Sequence, residues 1–329
     1  MTEAALVWIS SEEMFAKVSM ETAIRAVQRD LQAGLDPAQD FNRSILDVEH
    51  GQLLYMPSQF GDFVGAKVST VAPKNPAMGK ERIQGIYLLM DATTLSPIML
   101  MDAHALTALR TPAVSAAVAD HLAPPRVDHL LVFGSGTQAW GHVEAMRAIR
   151  SVGRVTIVAR NRERGAAIVN RIVTSGLEAR LGAASDVRDA QIIVCATAAR
   201  SPLFDGRLVP DDSLSVAVGS HEPDKRELDS TLIARAQLVV EDPTVALREA
   251  GDVIIPINEG RITSVSLVAM HDIVMGITLV DHPRPRVFKS SGMPWEDLVV
   301  AAEVYRASAT SNFDPGTGVD QSTTIRGGS

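Results

Sequence analysis

The sequence predicts an α/β protein in two units, an α+β unit first and a doubly wound parallel sheet after it. Three observations carry this. Residues 130–140, LLVFGSGTQAW, run from an apolar strand into glycines and then into a helix. Short apolar strands alternate with helical stretches from there to about residue 290. Before them, residues 41–101 hold closely spaced strand signals that end in a hairpin. The chain has 329 residues, enough for two cores.

In chain order, ALVWI near the start reads as a strand. Ser10 or Ser11 caps a short helix over Glu12 to Ala16, and Ser19 opens a longer one over Met20 to Ala33, ended near Gly34. Strands are expected at Ser44 to Val48, Gln52 to Met56, Phe63 to Ser69, Gly85 to Asp91 and Pro97 to Met101. A helix from Ala103 to His121 stops before Pro124 and Pro125. The alternating region supplies strands at Leu130 to Phe133, Val155 to Ala159, Ile192 to Cys195, Leu214 to Ala217, Leu238 to Glu241 and Ser264 to Val268, with a helix over Gln138 to Ile149. A last helix, Glu296 to Ala309, has an apolar stripe and is expected to return to the first unit. The tail after Ser311 is polar and glycine-rich, and is expected to be mobile. The expected domains are therefore 1–122, completed by 293–329, and 123–292.

Composition narrows the function. An apolar content of 46% excludes a disordered chain. The formal net charge is −8 with no basic block, which argues against a nucleic-acid partner. The single cysteine, Cys195, lies inside an apolar run and reads as a core residue. His104, His121, His129, His142 and His271 are scattered without metal-ligand spacing, so no metal is expected. No charged-then-apolar leader opens the chain and no apolar run reaches membrane-spanning length. The cytoplasm is the expected compartment, with no membrane partner.

The glycine run is the clearest chemical signal. Gly134 and Gly136 permit a tight turn, and Ala139 lets the next helix pack close. Ser135, Thr137 and Gln138 complete a loop whose N–H groups would face a pyrophosphate. The second strand ends in Arg160-Asn161-Arg162, where an NAD-binding fold places an acid for the ribose 2′-hydroxyl. Two guanidinium groups suit a 2′-phosphate instead, so NADPH is expected, with NADH possible. The bland alternative leaves those arginines in solvent. Thr197 and the pair Val218–Gly219 end later strands and are placed to approach the nicotinamide half.

Three cations lie in or beside apolar segments of the first unit: Arg43, Lys67 and Arg110. A cation so placed is edge-exposed, matched to a fixed acid, or awaiting an anionic ligand. The sequence assigns no particular acid to them. Five ordered stretches then carry a resemblance: Gly65-Ala66-Lys67, Ala108-Leu109-Arg110-Thr111, Val132 to Gln138, Gly219 with Pro223 to Leu228, and Phe288-Lys289-Ser290-Ser291-Gly292. With these the chain resembles the ornithine cyclodeaminase/mu-crystallin family over nearly its whole length. The resemblance implies a Rossmann NAD(P)-binding domain plus an α+β substrate-binding and dimerisation domain, a homodimer, and amino- or imino-acid substrates. It implies that Arg43, Lys67 and Arg110 hold the substrate carboxylate, and that Thr111, Ser291 and Gly292 join the cofactor site. A bidentate arginine with a lysine point charge suits such a group.

One departure sharpens the expectation. Cyclodeaminases of this family carry an aspartate where His221 stands, and histidine cannot reproduce a constitutive carboxylate beside an ammonium. The pattern resembles the family's ketimine reductases, which reduce 1-pyrroline-2-carboxylate to L-proline and 1-piperideine-2-carboxylate to L-pipecolate. His221 is then a proton-exchange candidate or a residue that only shapes the pocket. The competing expectations are a reductase or dehydrogenase for a linear imino or amino acid (alanine or iminosuccinate type), ornithine cyclodeaminase, and a non-catalytic NADPH-binding protein.

Overall fold

A computed structural model describes residues 6–311. The expectation of a mobile tail after Ser311, and the first residue of the ALVWI strand, lie outside that range. The first unit runs β1 (Val7–Ile9), α1 (Ser11–Lys17), α2 (Met20–Gln32), β2 (Ser44–Val48), β3 (Gly51–Phe60), β4 (Phe63–Val71), β5 (Ile83–Asp91), β6 (Pro97–Asp102) and α3 (Ala103–Leu122). The caps fall where serine chemistry puts them: Ser10 accepts from Glu13 N, and Ser19 from Thr22 N.

The six strands order β1-β6-β5-β4-β3-β2, antiparallel except for the β1–β6 pair. Their alternation is visible in two adjacent cross-strand rows. Met56, Lys67, Tyr87 and Met101 face inward and are buried. Tyr55, Val68 and Ile86, one residue over, form an exposed apolar row. Gly65 sits opposite the Tyr87 ring, where a Cβ would come within 2.1 Å of the phenol oxygen. The Gly65-Ala66-Lys67 motif thus begins with a residue that makes room for an aromatic neighbour.

The second sheet is wholly parallel. It contains β7 (Val127–Phe133), β8 (Val152–Val158), β9 (Glu178–Leu181), β10 (Ile192–Cys195), β11 (Leu214–Ala217), β12 (Gln237–Val240), β13 (Leu267–Ala269) and β14 (Arg286–Lys289), in the order β13-β12-β14-β11-β10-β7-β8-β9. Helices α4 (Thr137–Ile149), α5 (Arg162–Thr174), α6 (Ser230–Arg235), α7 (Pro243–Glu249), α8 (Gly251–Asn258) and α9 (Met270–Val274) connect them. The strand order reverses between β7 and β10, the position where such sheets bind ligands.

Two expectations are corrected here. Ser264–Ser266 is a 3₁₀ turn, and the strand begins only at Leu267. β9 and β14 were not anticipated, and β14 lies inside the sheet between β11 and β12.

Helix α3 is buried almost all round and packs on α2, α4, β5 and β14, so it joins the two sheets. The last helix, α10 (Pro294–Ser311), packs on α2, α3, β3 and β4, against the first sheet. Cys195 is fully buried, and burial pushes its thiol well above the usual range. Among the described residues no helix is long and apolar enough to cross a membrane.

Candidate active site

The glycine loop forms at the strand-order reversal. Gly134 has φ +128°, and a Cβ there would lie 2.5 Å from the Ala196 carbonyl oxygen at the end of β10. Only glycine permits both that backbone and that approach. Gly136 is the N-cap of α4, with no side chain capping the helix and no atom within 4 Å of where its Cβ would be. Ser135, Thr137 and Gln138 follow the same turn, and Ala139 is buried beneath it. Open space over uncapped N–H groups fits a dinucleotide pyrophosphate.

Arg160, Asn161 and Arg162 are exposed just after β8. Asn161 is committed in part to structure, since its Oδ1 accepts from Arg164 N at 2.9 Å and caps α5. Neither Arg160 nor Arg162 has a side-chain hydrogen bond or ion pair among the described residues.

At the other end, Thr197 and Gly219 meet across adjacent strands. Glu227 accepts from Thr197 N (2.8 Å), Thr197 Oγ1 (2.7 Å) and Gly219 N (2.7 Å). A Cβ at Gly219 would lie 1.9 Å from the Thr197 carbonyl oxygen. Burial raises the Glu227 pKa, with Lys289 and these bonds opposing. Asp252 accepts from Glu227 N and Leu228 N, each at 2.8 Å, and pairs with the buried Lys289 at 3.3 Å. Val218 adjoins this braced loop, and His221 follows at its exposed edge. Although the ring is exposed, the protein packed around it and then the Arg43 charge lower the His221 pKa, with Glu222 opposing.

The three cations converge, and each is matched to an acid. Lys67 Nζ lies 2.7 Å from Asp297 Oδ2. Arg110 Nε donates to Asp297 Oδ1 at 3.2 Å, and its Nη1 pairs with Glu296. Arg43 pairs with Glu249 on α7 and reaches the Ser291 carbonyl oxygen at 3.4 Å. Acids the sequence does not single out therefore stand beside all three. Burial lowers the Lys67 pKa, opposed by Asp297. Burial also works against the Arg110 charge, but Glu296 and Asp297 outweigh it and raise its pKa. Burial and then Glu241 push Glu296 well above the carboxylate range.

The loop after β14 closes the cluster. Glu241 accepts from Ser291 N (2.8 Å) and Gly292 N (3.1 Å). Gly292, at φ +80°, presents its missing side chain to the Arg110 guanidinium, 3.0 Å from where a Cβ would be. A cleft lined by Asp40, Arg43, Asp242, Glu249, Gly292 and Pro294 opens beside it. Asp40 caps Trp295 N at 2.8 Å and accepts from Ser58 Oγ at 2.7 Å, and burial raises its pKa to about 6.

The cation cluster and the glycine loop are physically linked. Gln138 Nε2 donates to the Thr107 carbonyl oxygen at 3.2 Å, and Lys67 Nζ donates to Thr107 Oγ1 at 3.4 Å. Thr111 is buried on α3 next to Arg110. Arg160, Asn161 and Arg162 stand apart, at the β8 end of the sheet. Sequence reasoning missed Glu227, Glu241, Asp252, Glu296 and Asp297. Glu227 was within reach, since it lies inside the quoted stretch Pro223 to Leu228.

Comparisons with known proteins place the chain in a family. The sequence profile of the ornithine cyclodeaminase/mu-crystallin family matches residues 7–312. A Delta(1)-pyrroline-2-carboxylate reductase of Bacillus cereus is 35% identical over 266 residues, which span 78% of this chain and 82% of that one. The structure of Thermococcus litoralis Delta(1)-pyrroline-2-carboxylate reductase, in complex with NADH and L-proline, superposes with a TM-score of 0.87 at 27% identity, covering 93% of this chain and 98% of that one. An archaeal alanine dehydrogenase dimer with bound NAD superposes with a TM-score of 0.87 at 25% identity, covering 94% and 97%. The chain belongs to the ornithine cyclodeaminase/mu-crystallin family.

Proposed function

We propose that the protein is an NAD(P)H-dependent reductase of cyclic imino acids, converting 1-pyrroline-2-carboxylate to L-proline and 1-piperideine-2-carboxylate to L-pipecolate. The carrying observation is the convergence of Lys67 and Arg110 beside the glycine loop, joined to it through Thr107 and Gln138. Residues 1–122 with α10 form the substrate and dimerisation domain in this reading, and 123–292 the Rossmann domain.

The Gly134 to Gln138 turn, Thr111, Thr197, Val218, Gly219, Ser291 and Gly292 would hold the cofactor, which supplies a hydride when bound. The protein's own part is to hold the imine, exclude water and deliver a proton. Arg110 keeps Nη2 without a partner among the described residues, so its acids fix the guanidinium and leave a donor for the substrate carboxylate. Arg43 supplies a second guanidinium from the cleft side. Lys67 is buried beside Asp297, and in this reading it donates its proton to the imine nitrogen as the adjacent carbon is reduced. His221, lowered in pKa, shapes the pocket edge.

The test is spectrophotometric. NADPH and NADH are offered separately with each cyclic imino acid, with pyruvate plus ammonia, and with ornithine. Fast oxidation with the cyclic imines supports the reading. Preference for pyruvate plus ammonia would move the protein to the linear-substrate class, and ammonia release from ornithine would overturn it.

Two further expectations attach here. The unpaired Arg160 and Arg162 support an NADPH preference, so Arg160→Ala should raise KM for NADPH by about tenfold, the worth of one charge-assisted contact, and leave KM for NADH nearly unchanged. Equal small changes would return Arg160 to solvent. The outward row Tyr55, Val68 and Ile86 supports a homodimer, since contiguous exposed apolar surface of this kind marks an interface. Ile86→Lys should therefore yield monomers in sedimentation velocity, and an unchanged dimer would place the interface elsewhere.

A further inference from the structure

Two cations from different elements meet on one buried carboxylate. Asp297, in the first turn of α10, accepts from Arg110 Nε at 3.2 Å through Oδ1 and lies 2.7 Å from Lys67 Nζ through Oδ2. Its side chain has no exposure to solvent. Lys67 comes from β4 and Arg110 from α3. Among the described residues Asp297 alone pairs with both.

We infer that Asp297 is a positioning residue for imine reduction: it sets the spacing of Lys67 and Arg110 and keeps on Lys67 the proton that the imine nitrogen receives. The inference rests on the reading of Lys67 as proton donor. A lysine buried beside an arginine is driven towards its neutral form by desolvation and by the like charge. A neutral amine has no proton to spare for an imine. An anion within hydrogen-bond reach reverses that tendency.

The other groups facing Lys67 leave this task to Asp297. Glu296, beside it on α10, contributes less to the Lys67 charge and is spent on Arg110 and on Met293 N. Thr107 on α3 accepts from the ammonium but carries no charge. The Tyr87 hydroxyl on β5 is buried, has no hydrogen-bond partner among the described residues, and is held protonated by burial and by Asp297 and Asp40. Asp40, from the loop after α2, is engaged by Ser58 and Trp295.

A purely structural role for Asp297 would offset buried charge and nothing more. The pH profile separates the two. kcat/KM for 1-pyrroline-2-carboxylate is measured from pH 6 to 10, at saturating reduced cofactor, for wild type, Asp297→Asn and Asp297→Glu. NADH binding is followed by fluorescence as a check on folding. The substrate's own titration is common to all three proteins, so any displacement between curves belongs to the enzyme.

In Asp297→Asn the alkaline limb should move to lower pH by about 1–3 units, with NADH binding retained. Asp297→Glu should keep the limb in place, because the charge remains, and lose about tenfold or more in kcat/KM, because the carboxylate has moved by a methylene. An unmoved limb in Asp297→Asn overturns the inference. Should that variant fail to fold, unchanged kcat/KM in Asp297→Glu overturns it instead. Absent imine turnover by the wild type overturns the substrate reading and the inference with it, whereas turnover with an unmoved limb overturns the inference alone.

Discussion

Lys67→Ala is expected to lower kcat/KM for the cyclic imine by about 10²–10⁴-fold, the range that follows loss of a positioned proton donor. The side chain sits in the buried inward row with Met56, Tyr87 and Met101, so alanine deletes from that row the ammonium that pairs with Asp297. Proton delivery and one contact to the substrate carboxylate are lost together. A second effect follows from Asp297, whose Oδ2 is left buried without its cation. Leaving a buried charge wholly unpaired costs about 3–5 kcal/mol, and Arg110 still holds Oδ1, so the denaturation midpoint should fall by less than that cost implies. Activity is therefore compared well below that midpoint, with NADH binding as the measure of intact fold. Lys67→Arg should restore the stability better than the rate, because a guanidinium pairs with Asp297 but does not release its proton at working pH. Near-normal turnover by Lys67→Ala would remove the lysine from the chemistry.

The features legible in the sequence are those whose cause is local. Ser10 and Ser19 announce their helices because an N-cap needs only the next three residues. The Gly134 turn announces itself because the strand, the turn and the helix are contiguous. β14 is different. Its four residues, RVFK, begin and end with charge and offer neither alternation nor an apolar run, yet the strand is buried inside the sheet between β11 and β12. What permits this is distant. Arg286 donates to the Leu122 carbonyl oxygen (3.0 Å) and pairs with Asp212 (2.9 Å), and Lys289 pairs with Asp252.

The acids of the site were hidden for the same reason. Glu296 and Asp297 open a helix, and acids in a first turn are ordinary there because they complement the helix dipole. Their shared partner Arg110 lies 186 and 187 residues earlier in the chain. Of the three readings open for such a lysine, burial removes edge exposure, and Asp297 supplies the fixed acid. No spacing in the sequence distinguishes it from the others, because the α10 return that brings Asp297 to β4 is a tertiary event.

Glu227→Ala is expected to be the most damaging change that touches neither the cation cluster nor the glycine loop. One carboxylate gathers Thr197 N, Thr197 Oγ1 and Gly219 N, and so ties the end of β10 to the end of β11. The approach of Gly219 to the Thr197 carbonyl oxygen leaves no room for a side chain, so the two loops form one surface. Alanine would strand two part-buried backbone donors at up to about 1–3 kcal/mol each, unless water enters to satisfy them. Either outcome loosens the floor proposed to lie beneath the nicotinamide. Lys289 would also lose an opposing charge, although Asp252 still holds it. The effect should therefore appear as a loss of about 10²-fold in kcat/KM, because a displacement near 1 Å at the reacting face is enough for that. Dissociation of the cofactor should weaken less, since the pyrophosphate turn at Gly134 to Gln138 is untouched. Glu227→Gln keeps one carbonyl oxygen to accept from the same donors and should recover part of the rate. If Glu227→Ala instead leaves kcat intact and weakens only cofactor affinity, the β10–β11 loops serve binding alone, and the hydride-transfer geometry is set from the side of α3 and α10.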